Sequence, residues 1–200
     1  MLNHSHSNKY KFIKSLGKID YKKMSCLDIG GSQNSVKQII KNTKILDINN
    51  SDIKFDLIKD FTTKKKLPLK SNSFDLVVIS QVLEHTINPD EIFKEAKRIA
   101  KKYVLLSLPN DLTLDNRIRL LFGLSSGFEE FGHKQVLNYR QINDFLKKNK
   151  GKEFRIINEF NLFASKGGRF LPLFFREFLA KSFPSIFCKE KFWLLEKNVD

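Results

Sequence analysis

Cysteine, tryptophan and acidic side chains are scarce in this chain. Its two cysteines, Cys26 and Cys188, are too few and too far apart for a disulfide framework or a zinc spacing. That usage suits a reducing compartment, and Cys26, inside an apolar run, is expected to be a buried free thiol. The polar N-terminus lacks the apolar core of a signal peptide, so a cytoplasmic location is expected. His4 and His6 alternate with serines there, in a tail expected to fray. Internal repeats and low-complexity tracts are missing, which excludes solenoid architectures.

Acids number 22 against 36 Lys and Arg, for a net charge of +14. Such a surplus raises nucleic acid or an anionic membrane as partners. Arginine is itself rare, however, at 7 residues against 29 lysines. The bidentate fork that reads phosphates and bases is thus in short supply. The lysines are spread out, with Lys64-Lys65-Lys66 as the one compact run. The charge therefore fits a solvated surface better than a nucleic-acid interface.

What is present is a regular alternation. Apolar runs at 24–29, 43–48, 53–58, 74–80, 103–108, 154–163 and 189–195 predict seven strands. Several, such as 74–80, are nearly unbroken, as in parallel strands buried on both faces. Between them lie helical patterns at 8–23, 35–41, 89–102 and 139–148. Asn88-Pro89-Asp90-Glu91 carries the signals of a helix start. The expected fold is α/β and Rossmann-like: a mostly parallel seven-stranded sheet, helices on both faces, the last strand antiparallel. One domain is expected over 1–200, with an insertion at 111–138 and a Phe-rich connection at 164–188.

The stretch Leu27-Asp28-Ile29-Gly30-Gly31-Ser32 joins a strand to a helix through two glycines. In open α/β sheets a nucleotide-like ligand sits beyond such a strand end, and a backbone without Cβ lets it approach. Alone, the stretch is equally an ordinary βα turn. Three further features fall at strand ends on the same rim. Asp47 closes the second strand, placed like the acid that accepts ribose hydroxyls in dinucleotide folds. Asp60 closes the third, and Ser80-Gln81-Val82-Leu83-Glu84-His85 follows the fourth.

With these residues in place, the chain resembles the class I S-adenosylmethionine-dependent methyltransferases. It is most similar to the small-molecule branch that includes the ubiquinone-biosynthesis enzymes. The resemblance rests on Leu27–Ser32, Leu46-Asp47-Ile48, Asp60-Phe61, Leu67-Pro68-Leu69, Ser73–Val78, Val82–His85 and Ser107–Asn110. A weaker match at Gly132-His133 and Tyr139 extends it towards residue 148. It implies S-adenosyl-L-methionine as cofactor. Asp28, Gly30, Gly31 and Ser32 would hold its methionine and ribose, and Asp47 with Ile48 the ribose hydroxyls. Asp60 and Phe61 would face the adenine, and Ser80 and Gln81 the sulfonium side. Ser32 and Asn34 stand where the family usually has its second and third glycines.

The implied reaction is an in-line methyl transfer to a small-molecule, sugar-linked or lipid-linked acceptor. A hydroxyl acceptor needs a base, and His85 and His133 are the candidates; for His85 a packed helix-start residue is the alternative. Glu84, His85, His133 and Tyr139 are expected on the substrate side. Some ubiquinone-pathway relatives have a Glu-x-x-Glu-His metal motif here. Gln81 replaces its first carboxylate, so no metal is expected. Two other readings stand beside this one: an RNA methyltransferase, and a non-catalytic cofactor-binding relative acting through protein partners.

The Phe-rich segment 170–187 is interrupted by Arg176, Glu177 and Lys181, so it is not a membrane span. It reads as a packed helix, a lipid-facing surface giving peripheral membrane contact, a dimer interface or a wall of the substrate pocket.

Overall fold

The computed structural model describes residues 4–31, 35–47, 66–125, 133–163 and 171–198. Six strands among them form one sheet: β1 (Cys26–Ile29), β2 (Thr43–Leu46), β3 (Phe74–Ser80), β4 (Ala100–Pro109), β5 (Phe154–Phe163) and β6 (Cys188–Lys197). Their order is β2-β1-β3-β4-β6-β5. The first four run parallel, with Ile29 beside Leu46 and Ile79, and Ser80 beside Ser107. β6 is antiparallel to both β4 and β5. The last strand is thus antiparallel as expected, and six of the seven expected strands lie among the described residues. The run at 53–58 lies outside the described residues.

The helices are α1 (His4–Leu16), α2 (Pro89–Ile99), α3 (Leu114–Leu121), α4 (Tyr139–Asn149), α5 (Leu173–Ser182) and α6 (Pro184–Phe187). α1 begins at His4, where fraying was expected. The helix expected at 35–41 is one 3-10 turn, Val36–Gln38. The cap at Ser35, which accepts from Lys37 N, opens that turn, and Ile39 already leaves helical geometry. The insertion carries a helix, α3, that the sequence pattern did not reveal.

Period-two alternation splits the apolar strand residues between two cores. Leu27, Ile29, Val77, Ile79, Val104, Leu106, Trp193 and Leu195 face α2 and α4, which contribute Phe93, Ala96, Ile142 and Leu146. Cys26, Leu76, Val78, Leu105, Phe192 and Leu194 face the other way, under Phe12 and Leu16 of α1 and under Val36 and Ile40. Helices therefore cover both faces. Phe93 is fully buried, and truncating it to alanine would cost about 3–5 kcal/mol.

Local signals set the helix ends. Pro89 stands at the first turn of α2 with Asp90 and Glu91, and Lys97 and Arg98 close it, as the helix dipole favours. Asn138 caps α4 by accepting from Arg140 N and Gln141 N, while Gln141 accepts from Asn138 N. Both cysteines are free and buried. Burial pushes both thiols up, that of Cys188 to about 12, so neither is a nucleophile.

Candidate functional site

The carboxyl ends of β1 to β4 share one rim, and β6, running the other way, begins there. Pro109 pairs with Glu190, so the first residues of β6 lie beside the last of β4. The rim is the natural ligand edge of this architecture.

At its centre the chain leaves β1 through Gly30 and Gly31. Gly30 has φ +73°, and a Cβ there would overlap the side chain of Val82. A Cβ on Gly31 would overlap the Asp28 carboxylate. Both glycines are thus demanded by close approach. Asp28 Oδ2 accepts from Ser35 Oγ at 2.7 Å and from Val36 N at 2.8 Å, closing the loop back on its own strand. Burial pushes the Asp28 carboxyl up to about 6; these two hydrogen bonds oppose the shift and nearby Asp47 adds to it. Asp47, just past β2, is buried beside this loop. Gln81, just past β3, holds φ +54°, a left-handed conformation that costs a non-glycine residue about 1 kcal/mol. Of the sequence-predicted cofactor residues, Asp28, Gly30, Gly31, Asp47, Ser80 and Gln81 therefore share one rim. Ser32, Ile48, Asp60 and Phe61 lie outside the described residues.

Beyond Gln81, a 3-10 turn (Leu83–His85) carries Glu84 inward. Glu84 is 1% exposed, and neither carboxylate oxygen has a hydrogen-bond partner among the described residues. Burial pushes its carboxyl up to about 8, and the charges of Glu190 and Asp111 add to the shift. It is therefore mainly protonated at neutral pH. The Glu84 carbonyl accepts from Lys134 N at 2.9 Å, pinning the residues after His133 to this turn.

The two histidines come together. Their rings meet edge to face, with centroids 4.8 Å apart. Nδ1 of His133 lies 3.1 Å from Oδ1 of Asp111, without hydrogen-bond alignment. Asp111 Oδ2 accepts from Leu137 N at 2.9 Å, which fixes the carboxylate. Tyr139 belongs to a different group: Asn161 Nδ2 lies 3.4 Å from its hydroxyl, and Lys191 stands over its ring.

Glu84, His85 and His133 each offer one ligand atom, all within 4.8 Å of one another. Two imidazoles and a carboxylate suit a borderline transition metal. The spread is wider than the ligand separation of about 3.3 Å in a tetrahedral zinc site. A protonated Glu84 is also a poor ligand.

Sequence reasoning missed three residues here. Glu190 is buried and accepts from Ser107 Oγ at 2.7 Å, with Ser80 Oγ at 3.5 Å. Lys11, from α1, is buried with Nζ 3.8 Å from Glu190 Oε2. Asp111 is the third. The expected antiparallel last strand was the available signal for Glu190, since such a strand must start at the ligand rim.

Residues 23–107 match the family described as a methyltransferase domain. No curated protein sequence matches the chain. Solved structures do. One is a SAM-dependent methyltransferase from Archaeoglobus fulgidus, with TM-score 0.58 and 16% identity over 96% of this chain and 92% of that one. Another, from Aquifex aeolicus, has TM-score 0.52 and 15% identity over 96% and 93%. This is the methyltransferase fold. At these identities the neighbours show the fold alone. The same methyltransferase fold also occurs in the [4+2]-cyclase SpnF, at TM-score 0.54 and 12% identity over 98% and 81%, so reaction chemistry depends on the site rather than the fold.

Proposed function

We propose that this chain is an S-adenosylmethionine-dependent methyltransferase of the small-molecule branch that methylates a hydroxyl of a sugar- or lipid-linked acceptor. The observation that carries the reading is the meeting, on one rim, of a two-glycine loop after β1, the buried Asp47 and an imidazole beside a buried carboxylate. Gly30, at φ +73°, lets the chain turn sharply past the end of β1, and Asp47, buried just past β2, would accept the ribose hydroxyls of the cofactor. When bound, the cofactor supplies a methyl carbon made electrophilic by the sulfonium.

The chain's own residues then have three tasks. The rim would orient the acceptor hydroxyl, which gives the rate benefit of orientation. His133 would accept the hydroxyl proton at Nε2. Asp111 faces Nδ1, so it orients the ring and stabilises the imidazolium that results. Glu84, kept neutral by burial, adds no negative charge to repel the acceptor alkoxide as it develops.

Calorimetric titration with S-adenosylmethionine tests the cofactor half, with micromolar binding expected and lost in Asp47→Ala. Labelled-methyl transfer into host-cell extract tests the acceptor half. No binding of the cofactor or its demethylated product sinks the reading. Binding without transfer to any extract component favours a non-catalytic or cyclase-like role.

A further inference from the structure

The rim that carries the candidate site is bordered by two helices that bury few side chains among the described residues. α3 buries no residue, and α5 buries Ala180 alone. Their large apolar side chains stand outward: Leu121 is 81% exposed, Phe122 73% and Phe174 73%, with Leu173, Phe178 and Phe183 also exposed. An eight-residue helix does not hold itself together in water, so burial of this face by something else would stabilise it.

Both helices belong to the site's side of the sheet. α3 follows the carboxyl end of β4, and α5 leads through α6 into the start of β6. α3 and the residue before its loop are tied to α6 and the start of β6, which follow α5. Arg117 Nη2 donates to Ser185 O at 3.3 Å, and Asn110 Nδ2 donates to Ser185 O at 3.3 Å and Cys188 O at 2.8 Å. Cations are interleaved with the apolar groups, namely Arg117, Arg119, Arg176 and Lys181. Of the two acids on these helices, Asp115 and Glu177, the latter is neutralised by Lys14 at 3.0 Å.

We propose that α3 and α5 form a docking surface for an anionic lipid bilayer, bringing the site's rim to the membrane face. Charge selects this occupant. A second copy of the chain carries the same +14 and is repelled. A bilayer bearing phosphatidylglycerol offers acyl chains to the phenylalanines and phosphates to the arginines. The inference does not depend on methyl transfer, and its test reads no turnover.

The full chain is sedimented with phosphatidylcholine vesicles, with and without phosphatidylglycerol. Binding is expected with phosphatidylglycerol alone, and weakening as added salt shortens the Debye length. Phe122→Ser and Phe174→Ser should each weaken it about tenfold and leave calorimetric cofactor binding unchanged. Equal sedimentation with both vesicle types, or none with either, overturns the proposal. A dimer by light scattering that Phe122→Ser dissociates also overturns it, since a second copy would then occupy the face. The comparison of vesicle types on the unmodified chain decides the matter even where a variant fails to fold.

Discussion

Nδ1 of His133 lies 3.1 Å from Oδ1 of Asp111, and the other oxygen of that carboxylate is held by Leu137 N. This pair joins the residue at the end of β4 to the chain leading into α4. For the proposed reaction it is the ground for proposing His133 as the base rather than His85, which has Glu84 Oε1 at 4.0 Å. His133→Ala should lower kcat by about 10²–10⁴-fold, the range of a lost general base. Asp111→Asn should lower kcat by about tenfold, with cofactor affinity unchanged in calorimetry. Equal losses in His85→Ala and His133→Ala would contradict the assignment.

Glu84 predicts a dependence of stability on pH. Its carboxyl titrates at about 8 in the fold and ordinarily at 4.5. Between those values the folded state binds the extra proton, so stability falls as pH rises through that window. Glu84→Gln removes the titration. Its melting temperature should fall less than wild type from the lower limit to the upper, and at the upper limit the variant should be the more stable by more than about 1 kcal/mol. Parallel melting curves across the window would refute this.

Gly30 and Val82 make a steric pair. Gly30→Ala should destabilise by about 1–3 kcal/mol, through overlap with Val82 and through the positive φ. Adding Val82→Ala relieves the overlap and leaves the backbone cost of about 1 kcal/mol. Urea denaturation of both variants measures the recovery, and none would show that the contact does not set the cost.

Lys11 is the buried cation facing Glu190. Lys11→Met leaves that carboxylate without its counter-ion and should cost about 3 kcal/mol. Glu190→Gln in the same chain should recover most of the loss, since an amide oxygen still accepts from Ser107 Oγ. An additive double variant would show that the two do not interact.

Much of the frame was legible in the sequence because burial on both faces writes itself as unbroken apolar runs. Phe74–Ser80 falls where the pattern placed it, and so does Phe154–Phe163, an edge strand in which Phe154 alone is buried. The glycine loop was legible too, since close approach restricts residue type. What stayed hidden were partners brought in from far along the chain. Lys11 and Glu190 are ordinary surface types, and only the fold buries them together. α3 was missed because its eight residues hold too short a stretch of helical spacing, at Leu114, Ile118 and Leu121, to stand out within the insertion.

The strand order also sets an order of assembly. β5 touches the sheet through β6 alone among the described strands, and β6 lies between it and β4. During synthesis β4 therefore keeps an open edge, and β5 has no place to dock, until residues beyond 188 emerge. Glu190 arrives in that last step, so the acidic pocket opposite Lys11 is completed only with the final strand. A chain cut before 188 should expose the edge of β4 to pairing with other chains.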